Sequence, residues 1–158
     1  MKSCVIFHSY SGITRGVAQK IKAACGSDLI EVIPRKSYTK LTAYTVGSLR
    51  AMRGEPDLID PETISVPSCD LIVIGTPVWA FRATPAMNAA VAALKGCEGK
   101  KAIIFATCGG SPGETLPILK KALAAKGVTV IGEVVLPRKD LDAKTVELIT
   151  AIKAVSPV

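Results

Sequence analysis

A chain of 158 residues, 49% apolar and only 4% aromatic, is long enough for one domain with an aliphatic core and too short for two, so a single domain over 1–158 is expected. It holds no run of about 18 apolar residues and opens on Met1-Lys2-Ser3-Cys4-Val5 without a signal-peptide layout, so no membrane is expected as a partner. The 20 basic against 13 acidic residues leave a charge of +7, spread along the chain without aromatic interleaving, which favours anionic ligands or acidic proteins over nucleic acid.

Cys4–Phe7 is the first of five short apolar runs that read as buried parallel strands. It leads into Ser9-Tyr10-Ser11-Gly12-Ile13-Thr14, a hydroxyl-rich turn opening a helix with Val17, Ala18, Ile21 and Ala24 on its inner face. Leu29–Ile33 is the second strand and 41–53 the second helix, ended by Gly54. The segment 55–68 carries three prolines and no clear period, and reads as a long surface connection. Leu71–Ile74 is the third strand. The third helix starts at Thr84-Pro85, a capping hydroxyl followed by proline in the first turn. Met87, Ala90, Val91 and Leu94 form its apolar face, and Gly96 its C-cap. Ala102–Ala106 is the fourth strand. The fourth helix, 114–126, turns Leu116, Leu119 and Leu123 inward and tolerates Pro117 only in its first turn. Val128–Leu136 and a helix over 140–154 close the chain.

Strict strand–helix alternation predicts an α/β fold, a parallel sheet wound with helices on both faces. Ligands of such sheets sit beyond the carboxyl ends of the strands, where strand order reverses. That rule selects three loops: 9–14, 76–84 and 107–113. The first aims backbone N–H groups and a positive helix end at one spot, which suits a phosphate, although a plain capping turn has the same composition. It has neither a P-loop lysine nor G-x-G-x-x-G, so it is not a nucleoside-triphosphate loop. The second loop, Thr76-Pro77-Val78-Trp79-Ala80-Phe81-Arg82, holds the sole tryptophan, able to stack on a flat ring if it is not buried beneath the loop. The third, Thr107-Cys108-Gly109-Gly110, lets the backbone approach a ligand closely. His8, the lone histidine, reads as structural. The five cysteines are scattered, odd in number and without C-x-x-C, so neither a metal site nor a disulfide is expected and a cytoplasmic location is the simplest reading.

Phosphate, flat ring and backbone donors together resemble the flavodoxin family. Ser-x-Ser-Gly-x-Thr at 9–14 is similar to its FMN-phosphate loop, Pro-x-Trp at 77–79 to its ring-stacking loop, and Thr-Cys-Gly-Gly at 107–110 to its pyrimidine-side loop. The resemblance implies a five-stranded parallel sheet of order 2-1-3-4-5, of the short type, and FMN as cofactor. It implies hydroxyl donors to the phosphate from Ser9, Ser11 and Thr14, joined by the amides of Tyr10, Gly12 and Ile13. Trp79 would stack on the isoalloxazine, with Thr76, Pro77, Val78, Ala80 and Phe81 beside it and Thr107, Cys108, Gly109 and Gly110 at the pyrimidine edge. The implied function is electron transfer with a reductase or ferredoxin-like partner carrying an acidic docking surface. The alternative is an FMN-dependent NAD(P)H oxidoreductase acting on a quinone or other small acceptor. The pattern is compatible with a monomer or a homodimer.

Three departures from the family shape further expectations. Ala80 stands where many members have glycine, making a positive φ there costlier by about 1 kcal/mol. Gly109-Gly110 replaces a second stacking tyrosine and leaves one flavin face open. Neither Thr76–Thr84 nor Thr107–Gly113 contains Asp or Glu, while Arg82 is close by. Less repulsion favours the anionic, fully reduced flavin and two-electron chemistry.

Overall fold

The computed structural model describes residues 1–155. Its main sheet contains β1 (Ser3–Phe7), β2 (Asp28–Glu31), β3 (Leu71–Trp79), β4 (Lys101–Cys108) and β5 (Thr129–Pro137). All five run parallel in the order 2-1-3-4-5. The helices are α1 (Ile13–Cys25), α2 (40–52), α3 (Pro85–Ala92), α4 (Thr115–Ala125) and α5 (Leu141–Ala154).

Side-chain alternation along the strands divides the core into two layers. Cys4, Ile6, Ile72, Ile74, Ala102 and Ile104 face the side covered by α3 and α4. Val5, Phe7, Leu71, Val73, Ile103 and Phe105 face α1 and α5. Strands buried on both faces must be apolar at successive positions, which explains the continuous runs in the sequence. The crossovers that cover both faces carry the loops after β1, β3 and β4 to one end of the sheet.

Four departures from the expected elements have local causes. β3 runs on to Trp79 because Arg82–Ala83 folds back as a short antiparallel strand, pairing Val78 with Ala83 and Trp79 with Arg82. β2 stops at Glu31, since Ile33–Pro34 leaves the sheet to pair with Ile59–Asp60. α3 ends at Ala92, and Leu94–Lys95 pairs with Ile64–Ser65, so the 55–68 connection is partly ordered into strand. Cys4 and Cys69 form a disulfide, their Cα atoms 6.1 Å apart across 65 residues of sequence. Scattered spacing does not show this pairing, because it follows from β1 lying beside β3. The cysteine pattern accordingly gives no support to a reducing compartment. Among the described residues no helix is long and apolar enough to cross a membrane.

Gly75 of β3 lies beside Phe105 of β4, and a Cβ at Gly75 would come within 2.1 Å of the Phe105 ring. Rigid core packing resists such an insertion. Gly75→Ala is expected to lower stability by about 1–3 kcal/mol, read from the midpoint of urea unfolding.

Candidate functional site

β1 delivers His8 and the 9–14 turn to the carboxyl end of the sheet. Gly12 takes φ 95°, a left-handed conformation that glycine adopts without a Cβ clash. This reversal starts α1. Ser9 Oγ accepts from the amides of Gly12 (3.2 Å) and Arg15 (3.1 Å), which ties the turn to the helix. The amides of Ser11, Ile13 and Thr14 donate to no partner among the described residues. Orphan amides at the positive end of a helix form the donor set that a phosphate needs. Arg15, the nearest cation in sequence, is occupied by Glu31, to which its Nε and Nη2 donate at 2.8 and 2.5 Å.

The turn after Trp79 consists of Ala80 (φ 49°) and Phe81 (φ 62°). Two consecutive positive φ values match the twist of a two-residue hairpin. Ala80 therefore holds the conformation that its side chain disfavours, at a cost of about 1 kcal/mol. The third loop holds the turn in place. Glu114 N donates to Phe81 O at 3.0 Å, and Gly113 sits so close that a Cβ there would meet Phe81 Cβ at 2.3 Å.

Trp79 is half-buried, and edge contacts with Tyr38, Tyr10 and His8 fix its ring at centroid distances of 5.1, 5.5 and 6.0 Å. Gly47 of α2 seats that ring, since a Cβ at Gly47 would lie 2.8 Å from Trp79 Cζ3. Gly47 ends a π-helical stretch, Ala43–Gly47, inside α2. Such widened turns recur at functional sites.

These elements enclose a cavity of about 790 Å³, within the range of small-molecule sites. Of the sequence-predicted residues, Tyr10, Ser11, Ile13, Pro77, Val78, Trp79, Ala80, Thr107, Cys108 and Gly109 line it. Ser9 and Gly12 shape the turn behind the wall. Thr14 is buried, its hydroxyl 2.8 Å from that of Thr107. Thr76 is buried too, donating to Pro77 O at 2.8 Å and accepting from Thr84 N at 3.4 Å. Phe81 projects into solvent. The space a Cβ would enter at Gly109 and at Gly110 is open.

Sequence reasoning missed Lys40, Ala43, Tyr44 and Ser48 of α2, Leu136 near the end of β5 and Arg138 just beyond it, all of which line the cavity. Arg138 stands just past the carboxyl end of a predicted strand, a position that the strand-end rule could have selected. The α2 residues carried no such signal, because nothing local to the sequence shows that Gly47 meets Trp79. No Asp or Glu lines the cavity, which is bordered by the cations of Lys40 and Arg138.

A turn of unpartnered amides at the switch point of a doubly wound sheet, beside an aromatic wall and a glycine-lined approach, has the layout of a cofactor site in the flavodoxin-like fold. The flavodoxin family model matches residues 2–131, and the chain belongs to that family. Among solved structures, a candidate flavoprotein of Bacteroides eggerthii is 27% identical, with 98% of this chain and 99% of that one covered and a TM-score of 0.79. A flavoprotein of Lactobacillus acidophilus in complex with FMN is 22% identical, with 91% and 98% covered and a TM-score of 0.73. A flavodoxin from the Archaea is 18% identical, with 97% and 99% covered and a TM-score of 0.57. No curated protein matches the chain.

His8 is buried, and its Nδ1 lies 2.8 Å from Thr84 Oγ1, joining the first loop to the cap of α3. Burial pulls its pKa from 6.5 down to about 4; Glu31 opposes that shift and Arg15 adds to it. The imidazole is therefore neutral in the fold across physiological pH, which fits a structural residue. The unfolded chain takes up a proton near pH 6.5 that the folded chain refuses until about 4. Stability is thus complete above about pH 6.5 and declines as pH falls towards about 4, with a limiting loss of about 3 kcal/mol. Urea unfolding of wild type and His8→Gln over this interval is expected to show a shallower decline in the variant.

Proposed function

We propose that the protein is an FMN-binding electron-transfer flavoprotein. The observation that carries this reading is the convergence of unpartnered amides at the start of α1, the fixed Trp79 ring and the open Gly109-Gly110 approach on one cavity. FMN, when bound, supplies one- and two-electron transfer. The amides of Ser11, Ile13 and Thr14 hold its phosphate, and Ser9 keeps the turn in the shape that presents them. Trp79 stacks on the ring, and its aromatic neighbours prevent it from rotating away. Cys108 and Gly109 offer backbone groups to the polar edge. Lys40 and Arg138 stabilise negative charge accumulated on reduction, with no carboxylate in the wall to oppose them. The FMN complex of the L. acidophilus flavoprotein supports the choice of cofactor.

The oxidoreductase reading has one observation in its favour. No side chain from the third loop covers the space over Gly109-Gly110, leaving room for a flat acceptor beside the ring. NADPH plus a quinone distinguishes the two readings: rapid bleaching and turnover of the holoprotein identifies an enzyme. Slow bleaching combined with fast exchange with a protein donor identifies a carrier.

Titration of the purified protein with FMN is expected to give a yellow one-to-one complex with quenched flavin fluorescence. Gly12→Val, which strains the left-handed turn, is expected to weaken FMN binding at least tenfold, on the order of 1.4 kcal/mol. An unchanged affinity in a folded variant removes the phosphate assignment. Lys40→Glu, a change of two charges, is expected to lower the two-electron potential of bound FMN by on the order of 40 mV, since each nearby charge is worth about 1 kcal/mol. A potentiometric titration reads that shift.

A further inference from the structure

Helix α2 is amphipathic in the reverse sense. Its buried positions are all small: Ala43, Gly47 and Ala51. Its large apolar side chains point outward, with Leu41 73%, Tyr44 79% and Met52 59% exposed, and Val46 and Leu49 exposed beside them. A surface helix ordinarily turns such residues to the core, and contiguous apolar patches on soluble proteins mark interaction sites. The patch is continuous with the cofactor cavity, since Tyr44 belongs to both. The Ser48–Met52 turn packs against Arg82–Ala83, which brings Phe81, 62% exposed, to the border of the same face.

Charge identifies the occupant. The stretch 32–54 contains Arg35, Lys36, Lys40, Arg50 and Arg53 and no acidic residue, and 71–97 likewise contains no Asp or Glu. Arg35 is neutralised by Asp60 and Glu62, and Arg50 by Glu55 and Asp57. Lys36, Lys40, Arg53 and Arg82 have no carboxylate within salt-bridge distance among the described residues. The apolar face is therefore edged by uncompensated positive charge. A second copy of the chain is a poor occupant, because a two-fold interface sets the same patch against itself and would face Lys40 and Arg53 with like charges.

We propose that the outer face of α2, with Phe81 at its edge, is the docking site for an acidic electron-transfer protein that presents an apolar contact ringed by carboxylates. This rests on the electron-transfer reading above. Apolar contact at the centre excludes water and brings the partner's redox centre over the cavity mouth. The cations steer the encounter and set its dependence on salt.

The test uses FMN-loaded protein and an acidic [2Fe–2S] ferredoxin as the probe, with electron exchange followed by stopped flow. Leu41→Ser/Met52→Ser and Arg53→Glu alter the patch at residues that do not line the cavity. Each is expected to lower the second-order rate constant by roughly tenfold, while FMN affinity and chemical reduction by dithionite stay at wild-type values. The wild-type rate is expected to fall with rising ionic strength, less steeply in Arg53→Glu. Wild-type rates in both variants overturn the docking site and leave the carrier reading standing. A wild-type holoprotein that exchanges electrons with neither the acidic ferredoxin nor basic cytochrome c overturns the carrier reading and the docking site together. Faster exchange with cytochrome c than with ferredoxin overturns the choice of an acidic partner. Two further results overturn it in favour of another occupant. One is a wild-type dimer that Leu41→Ser/Met52→Ser dissociates. The other is wild-type binding to phosphatidylglycerol vesicles that the same variant abolishes.

Discussion

Two buried side-chain hydrogen bonds hold the three site loops to one another. Thr14 and Thr107 join the first loop to the third, and His8 and Thr84 join the first to the second. Each links residues far apart in sequence at the carboxyl end of the sheet, His8–Thr84 between the loops of neighbouring β1 and β3, and Thr14–Thr107 between those of β1 and β4, across β3. Neither can form unless β1, β3 and β4 are in register. Unpartnered hydroxyl or imidazole groups in such a position would be costly to bury. The pairing therefore couples the geometry of the cavity to completion of the sheet. Glu114 N to Phe81 O adds a backbone link between the second and third loops. A cofactor meeting this cavity meets loops already set against each other, which reduces the ordering that binding must supply.

The same linkage explains how the chain tolerates left-handed backbone at Ala80 and Phe81. An isolated hairpin would favour glycine or asparagine there. Here the strand pairs Val78–Ala83 and Trp79–Arg82 fix both ends, and Gly113 is packed directly against Phe81. The absence of a side chain at Gly113 accommodates the presence of one at Phe81. The strain sits beside the cavity, and the surrounding structure over-determines it.

The strands and the three loops were legible because each depends on local pattern, whereas the sheet order was implied by the family resemblance alone. A buried parallel strand must be continuously apolar, and the loop at its carboxyl end must turn with small, polar residues. Among the features that were not legible, one is a hairpin too short to show a period and another is a contact between distant segments. The continuation of β3 to Trp79 depends on Arg82–Ala83 returning as a partner, a matter of two residues with no period to detect. The share of the cavity wall built from α2 depends on Gly47 meeting Trp79, 32 positions away in the numbering. Roles assigned to hydroxyl residues were blurred for a related reason. Ser9, Ser11 and Thr14 are alike in sequence, yet one caps the turn, one faces the cavity and one bonds to Thr107.

The reversed polarity of α2 follows from the placement of Trp79. An indole ring held edge-on by Tyr38, Tyr10 and His8 projects into the space where a neighbouring helix would ordinarily insert its large side chains. The helix can cover that ring only with a surface that has none, hence Gly47 at the contact and Ala43 and Ala51 one turn to either side. Once the inner face is committed to small residues, the apolar side chains of α2 have no core to enter. Leu41, Tyr44, Val46, Leu49 and Met52 confer no folding stability by facing water. Polar residues at those positions would be equally compatible with the inner contact. The inner face is thus explained by the contact with Trp79, while the outer face is the surface proposed above to receive a partner. The orientation of Trp79 and the exposure of the α2 patch are therefore two sides of one packing constraint, and only the inner side is satisfied within the chain.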